Sequence, residues 1–220
     1  MALPGSELEG LSRTALYLRR HGAKEKGARA LPCLWMFTDP DRMADVVAAA
    51  ERLPRGAGIV HRGFGRPGAA AEALALSRLA RRRGLVLLIG QDAALAARVG
   101  AHGVHLPERD LRHLPRLRRQ RPRWIVTVAA HSTAALARAG RAGAHGAFLS
   151  AVFPSRSPSA GRPLGVTRLA AMVRTATIPV LALGGVGPRT VARLKGTGVV
   201  GFAAVEAIGK ARPGRGRVRT

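Results

Sequence analysis

The chain has 220 residues, a length for one domain with room for short appendages. Hydrophobic residues make up 47% of it, which excludes a wholly disordered chain, and aromatics only 4%, so the expected core is Ala, Leu, Val and Ile. Lys and Arg number 37 against 12 Asp and Glu, a formal charge of +25.

Residues 1–30 read as an N-terminal extension. Leu8, Leu11, Ala15, Leu16 and Leu18 predict a short amphipathic helix over roughly 7–20, ended by Gly22 and Lys24-Glu25-Lys26-Gly27. A regular alternation follows. Cys33 to Phe37 is a compact apolar strand that closes on a turn at Thr38-Asp39. Met43, Val46, Val47, Ala50 and Leu53 then fall at helical spacing, and Gly58-Ile59-Val60 is the second strand. Residues 69–83 form a helix with Leu76, Leu79 and Ala80 inward and Arg81-Arg82-Arg83 outward. Leu85 to Ile89 is the third strand, Ala93 to Val99 a short helix, and Gly103 to Leu106 the fourth strand. A proline-punctuated helix occupies about 110–119, and Trp124 to Val128 is the fifth strand. Ser132 can cap the helix of Ala135, Leu136 and Ala139, which Gly143 ends. Ala147 to Leu149 is the sixth strand, followed by a loop of Ser, Pro and Gly up to Gly165. Val166, Leu169, Ala170 and Val173 mark a helix, and Pro179 to Leu183 the seventh strand. Gly187-Pro188 opens a further helix, and Val199 to Ala204 is the eighth strand.

Short, continuous, apolar strands suit a parallel sheet buried on both faces. Eight strand–helix units argue for an α/β fold, a (β/α)8 TIM barrel over residues 31–208. A doubly wound open sheet is the runner-up, but its Gly-x-Gly-x-x-Gly turn is missing. After Ile208 the chain is a basic, glycine-rich tail, residues 209–220, expected to be disordered, so the eighth helix is truncated. The N-terminal helix is expected to cover the groove this leaves between the first and seventh helices.

The charge has two readings. After Asp110 the only acidic residue is Glu206, against twenty Lys or Arg. A cationic field attracts nucleic acid. Alternatively, Ala, Gly, Arg and Pro share GC-rich codons, and all are abundant. The basic residues scatter over outer helices and the tail, and few aromatics are present to stack on bases. Nucleic acid is therefore not the expected partner, although a basic nucleic-acid-binding protein stays as the reading from another class. Cys33 is the single cysteine, which excludes an internal disulfide and fits a reducing, cytoplasmic setting. No run of about 18 apolar residues occurs, so no membrane partner is expected. The first 30 residues carry no apolar signal-peptide core, so no signal peptide is expected.

Barrel chemistry sits where strands end. Three segments there are distinctive: Gly100 to Leu106; Val152-Phe153-Pro154-Ser155 with Pro163-Leu164-Gly165; and Ile178 to Val186. In this order and spacing they resemble the thiamine phosphate synthase superfamily, which includes the thiazole tautomerases. The resemblance covers about residues 33–208. It implies a transferase of thiamine biosynthesis that condenses a hydroxymethylpyrimidine diphosphate with a thiazole phosphate and releases pyrophosphate with Mg²⁺. The alternative is a thiazole tautomerase, or a degenerate relative that binds phosphate without coupling. Small phosphorylated substrates are the implied partners, and a homo-oligomer is an open expectation, since many barrels of this family pair.

The resemblance also implies sites. Gly184 and Gly185, after strand seven, would hold phosphate through backbone N–H groups. Ser155 and Ser157 stand where the family has hydroxyls. Glu206 departs from the family's small residue there; it either repels the phosphate or points outward as a helix-start anion. The synthases carry Gln-x-Arg-x-Lys at the end of strand two. Direct alignment puts His61 on the Gln but Gly63 and Gly65 on the Arg and Lys. Arg62, a catalytic candidate, and Arg66 are expected to reach the same volume, with His61 and Arg66 binding the substrate; the competing reading is an eroded clamp. The lysine often found after the second loop hydroxyl is Pro158. For Mg²⁺, Asp110 matches the family's Asp after strand four, while the Asn-Asp pair after strand three reads Gly90-Gln91 with Asp92 one residue later. Asp92 and Asp110 are the metal candidates; the competing reading makes each a helix-start residue. Strand five ends in Ala129-Ala130-His131-Ser132, and the tautomerases have Val-His-Ser there. His131 is therefore a catalytic candidate for acid–base work; the competing reading is a helix-start histidine bonded to backbone. His105, inside strand four, reads as a core histidine.

Overall fold

The computed structural model describes residues 4–22, 31–155 and 161–209. Helix α1 (Pro4–His21) precedes eight parallel strands: β1 (Leu34–Phe37), β2 (Gly58–His61), β3 (Val86–Gly90), β4 (Gly103–Leu106), β5 (Ile125–Ala130), β6 (Gly146–Leu149), β7 (Val180–Ala182) and β8 (Gly201–Ala204). They pair in chain order, and β8 pairs with β1, so the barrel is closed. The ring between them is α2 (Val46–Glu51), α3 (Ala69–Arg83), α4 (Ala93–Val99), α5 (Leu114–Gln120), α6 (Thr133–Arg141), α7 (Gly165–Thr175) and a one-turn α8 (Glu206–Gly209).

Alternation along each strand separates two cores. Outward residues such as Met36, Ile59, Leu87, Val104, Val126 and Phe202 pack beneath the helices. Inward residues include Trp35, Phe37, Val60, Leu88, Phe148 and Leu181. The outer layer is mainly aliphatic, with Phe153 and Phe202 among it, whereas the barrel interior combines Trp35, Phe37 and Phe148 with aliphatic side chains. Phe148 meets Trp35 edge-on at 5.5 Å and Phe37 at 4.8 Å. Gly58 makes this filling feasible, since a Cβ there would strike the Trp35 ring. Three large rings thus fill a volume that aliphatic side chains more often share.

Two ring positions are reduced. After β7 the expected helix is only a 3₁₀ turn, Val191–Leu194. Thr190 Oγ1 donates to Gly185 O at 2.8 Å and accepts from the Gly187 N–H at 2.9 Å, which ties the segment into a turn. After β8 only α8 remains. Helix α1 fills the space, packing on β8, β1 and the 3₁₀ turn. Leu11, Ala15 and Leu18 are buried at spacings of one helical face. The helix runs antiparallel to β8, because Gly22 at its foot lies against Val199, just before β8. Leu16, expected on the apolar side, is exposed. The tail beyond Gly209 lies outside the described residues.

Candidate active site

A cavity of about 1620 Å³ opens at the C-terminal ends of the strands and continues outward between α1 and α2. At the mouth it is lined by Arg42, Arg62, His131, Ser150, Ser155 and the run Leu183–Thr190. Arg62 follows β2 on an inward position. Its Nε donates to Thr38 O at 2.7 Å, its Nη2 lies 3.2 Å from Asp39 Oδ2, and its backbone N–H donates to Thr38 Oγ1 at 2.8 Å. The guanidinium lies over the Phe37 and Phe64 rings, 5.6 and 5.5 Å from their centroids. Burial pulls the Arg62 pKa down, Asp39 opposes this, and Arg42 adds to it. Asp39 Oδ2 also accepts from Arg42 at 2.5 Å. Burial pushes the Asp39 carboxyl up, but Arg42, Arg62 and the Asp41 N–H together hold it below its ordinary value.

The structure corrects the expected clamp. His61 does not face the mouth. It is fully buried beneath α3, with Nε2 2.8 Å from Glu72 Oε1. Burial lowers its pKa, with Glu72 opposing and Arg66 assisting. The cause is the two-residue period of the strand: Val60 and Arg62 face in, so His61 faces out. Gly63 also faces outward, since a Cβ there would press on Ala69 of α3. Arg66 is exposed on the loop beyond and does not line the cavity. Of this clamp, Arg62 alone reaches the mouth. The inward positions at the end of β2 are thus Val60 and Arg62, one residue away from the direct alignment.

Across the mouth, Gly184 and Gly185 have φ of +91° and +65°. The loop after β6 lies on them: the Val152 N–H donates to Leu183 O at 2.9 Å and the Phe153 N–H to Gly184 O at 3.0 Å. A Cβ at Gly184 would meet Ala151, and one at Gly185 would meet the Pro154 carbonyl. Among the described residues, the N–H groups of Gly184, Gly185 and Val186 donate to no carbonyl. Successive N–H groups in such a turn make a concavity suited to phosphate. The β6 loop brings Ser155 to the same cavity. Ser157 lies outside the described residues, as does the Glu206 side chain. His131 Nδ1 lies 3.0 Å from Ser150 O. A carbonyl only accepts, so in this contact Nδ1 is the donor. Below Arg62, His105 is a core histidine, its Nδ1 3.0 Å from Thr127 Oγ1. Burial and the Arg62 charge lower its pKa to about 3.

The family model for thiamine monophosphate synthase matches residues 42–208. The chain belongs to this family. A thiamine-phosphate synthase of Methylococcus capsulatus is 34% identical over 184 residues, 77% of this chain and 79% of that protein. One of Chloroflexus aurantiacus is 31% identical over 62% of this chain and 63% of its own length. A bifunctional thiamine biosynthesis protein of Symbiobacterium thermophilum is 37% identical over 58% of this chain, but the match spans 27% of that protein. The chain thus spans between about a quarter and two thirds of the length of several curated relatives it matches. Among solved structures, a thiamine phosphate pyrophosphorylase from Pyrococcus furiosus superposes with a TM-score of 0.69 at 25% identity, covering 80% of this chain and 87% of that one.

The metal expected for this family is poorly matched. Asp92 caps α4, its Oδ1 accepting from the Leu95 N–H at 2.7 Å. Gln91, at the aligned Asp position, accepts from Arg109 Nη2 at 2.9 Å through Oε1. Asp110 sits in the 3₁₀ turn Glu108–His113 after β4. Among the described residues no three His, Cys, Asp or Glu converge to hold a metal. A Mg²⁺ here would therefore need oxygen ligands beyond these side chains, such as those of a substrate phosphate. Sequence reading missed Asp39 and Arg42. The available signal was position: Thr38-Asp39 ends a barrel strand, where family chemistry resides.

Proposed function

We propose that this barrel joins a pyrimidine diphosphate to a thiazole phosphate, forming thiamine phosphate and releasing pyrophosphate. One observation supports the reading: a single mouth is lined by Arg62 on the β1–β2 side and by the Gly184–Gly185 turn with Ser155 on the β6–β7 side, two separate groups suited to receive an anion each. Coupling two phosphorylated substrates needs two such sites, whereas isomerising one phosphate ester needs one. The relatives that carry the synthase name support the same choice.

In this reading the carbon–oxygen bond to the diphosphate breaks and its electron pair leaves on pyrophosphate. The thiazole nitrogen supplies the lone pair for the new carbon–nitrogen bond and becomes positively charged. Arg62 stabilises the charge developing on the leaving diphosphate. The glycine turn holds the thiazole phosphate, which aims the ring nitrogen at the pyrimidine carbon. No step is routed through a metal. The substrates are small and cytoplasmic, and no described helix is long and apolar enough to cross a membrane. Steady-state assay of thiamine phosphate formation tests the roles. Arg62→Ala should lower kcat about 100-fold or more, as loss of a charge-stabilising donor does. Turnover unchanged by that variant would refute the assignment.

A second reading, thiazole tautomerase, is favoured by His131, whose Nδ1 is bonded to Ser150 O and whose ring lines the mouth. Its test is turnover of a thiazole carboxylate tautomer without pyrimidine diphosphate. Activity lost in His131→Ala would support it; no turnover by the unmodified protein would exclude it.

A further inference from the structure

We propose that Asp39 is a positioning residue, which fixes the Arg62 guanidinium in the orientation that receives the diphosphate. This inference rests on the reading of Arg62 as the diphosphate ligand.

Arg62 has five N–H donors in a rigid fork, and a fork binds well only when its plane is fixed. The end of β1 fixes it from one edge. Nε donates to Thr38 O at 2.7 Å and Nη2 reaches Asp39 Oδ2 at 3.2 Å. The buried Phe37 ring packs under the guanidinium at 5.6 Å, and the exposed Phe64 ring lies at 5.5 Å. Asp39 is itself immobilised. It is 9% exposed, its Oδ1 accepts from the Asp41 N–H at 3.1 Å, and its Oδ2 accepts from Arg42 at 2.5 Å. One carboxylate therefore ties two cationic side chains of the cavity lining to the end of β1.

A carboxylate beside an anion site is electrostatically unfavourable for the ligand. Charge alone therefore predicts that neutralising Asp39 tightens anion binding. Positioning predicts the opposite sign. A purely structural role predicts a lower melting temperature with unchanged affinity in the folded protein. The three accounts separate in one experiment.

The experiment is calorimetric titration of the full chain with inorganic pyrophosphate, with melting temperature measured on each variant. Asp39→Asn keeps the side-chain shape and one acceptor oxygen. It should weaken pyrophosphate binding about tenfold, the scale of a lost charge-assisted hydrogen bond. Asp39→Glu should recover part of this loss. Arg62→Lys should bind at least about tenfold more weakly than the unmodified protein, since an ammonium cannot span Thr38, Asp39 and ligand together. Should Asp39→Asn fail to fold, Arg62→Lys and Asp39→Glu carry the test. Equal or tighter binding in Asp39→Asn, or full affinity in Arg62→Lys, would overturn the positioning role while leaving the synthase reading intact. No pyrophosphate binding by the unmodified protein would overturn the clamp itself, and the positioning role with it.

Discussion

Helix α1 stands where a complete barrel would have its eighth helix, and that placement gives a quantitative prediction. Leu11 and Leu18 are 1% and 2% exposed against β8 and β1, while Leu16 on the same helix is 50% exposed. Truncating a buried Leu to Ala costs about 2–5 kcal/mol, from lost transfer energy and the cavity left behind. An exposed Leu→Ala change is expected within about 0.5 kcal/mol of neutral. For a domain of this size 1 kcal/mol shifts the melting temperature by about 2–4 °C. Leu11→Ala and Leu18→Ala should therefore each melt about 4–20 °C lower. The two sites are two turns apart, about 10 Å along the axis, so the double variant should show nearly the sum. Leu16→Ala is the internal control, with the same chemistry, helix and loss of side-chain bulk. Thermal unfolding followed by far-ultraviolet circular dichroism measures all four variants. Deleting residues 1–22 should cost more than either single change, because it uncovers the outer faces of β8 and β1. If Leu11→Ala and Leu18→Ala melt with Leu16→Ala, or if the deletion leaves the melting temperature unchanged, α1 does not serve as the eighth helix.

The folded pKa of His105 is about 3 and that of His61 is also lowered, so the native state binds fewer protons than the unfolded chain, whose histidines titrate near about 6.5. Stability is complete above that value and falls with pH, for His105 from about 6.5 down to about 3, by about 1.4 kcal/mol per pH unit. Melting temperature against pH measures it, and His105→Gln should flatten the slope; a flat profile between pH 7 and 4 in the unmodified protein would contradict the burial. Gly185→Ala places a Cβ on the Pro154 carbonyl at a φ of +65°, so the turn must move, and affinity for the thiazole phosphate should fall about tenfold or more. Unchanged affinity by titration would remove the turn from the phosphate site. Asp92→Ala should cost about 1 kcal/mol as a lost helix cap, measured by urea unfolding, without altering the Mg²⁺ dependence of turnover. A changed metal dependence would restore Asp92 as a ligand.

Much of the barrel was legible because each strand–helix unit carries its own punctuation. Helix α3 runs Ala69–Arg83, as its spacing predicts, and Gly84 ends it at a φ of +65°. Ser132 caps α6 by accepting from the Ala135 N–H at 3.1 Å. The segment after Gly187-Pro188 failed as a helix because Thr190 bonds back to Gly185 and Gly187, a local competition invisible to periodicity. At the site, the residue types at the strand ends pointed to the correct family. The register of β2 did not follow from motif alignment. A shift of one residue exchanges His61 and Arg62 between helix interface and mouth, and only the inward packing of Val60 against the barrel core fixes which is which. Asp39 was missed because its partner Arg62 is 23 residues away, and pairing of that range is set by β1 lying beside β2. His105 was legible because a histidine inside a short apolar strand has little choice but burial.

The proposed activity couples two phosphorylated substrates at one mouth. The direct measurement supplies hydroxymethylpyrimidine diphosphate and thiazole phosphate to the full chain, with and without Mg²⁺, and follows thiamine phosphate and pyrophosphate together. Both products should form in equal amounts, with formation lost in Arg62→Ala. Absence of thiamine phosphate under both conditions, alongside turnover of the thiazole carboxylate tautomer, would contradict it and assign the barrel to isomerisation.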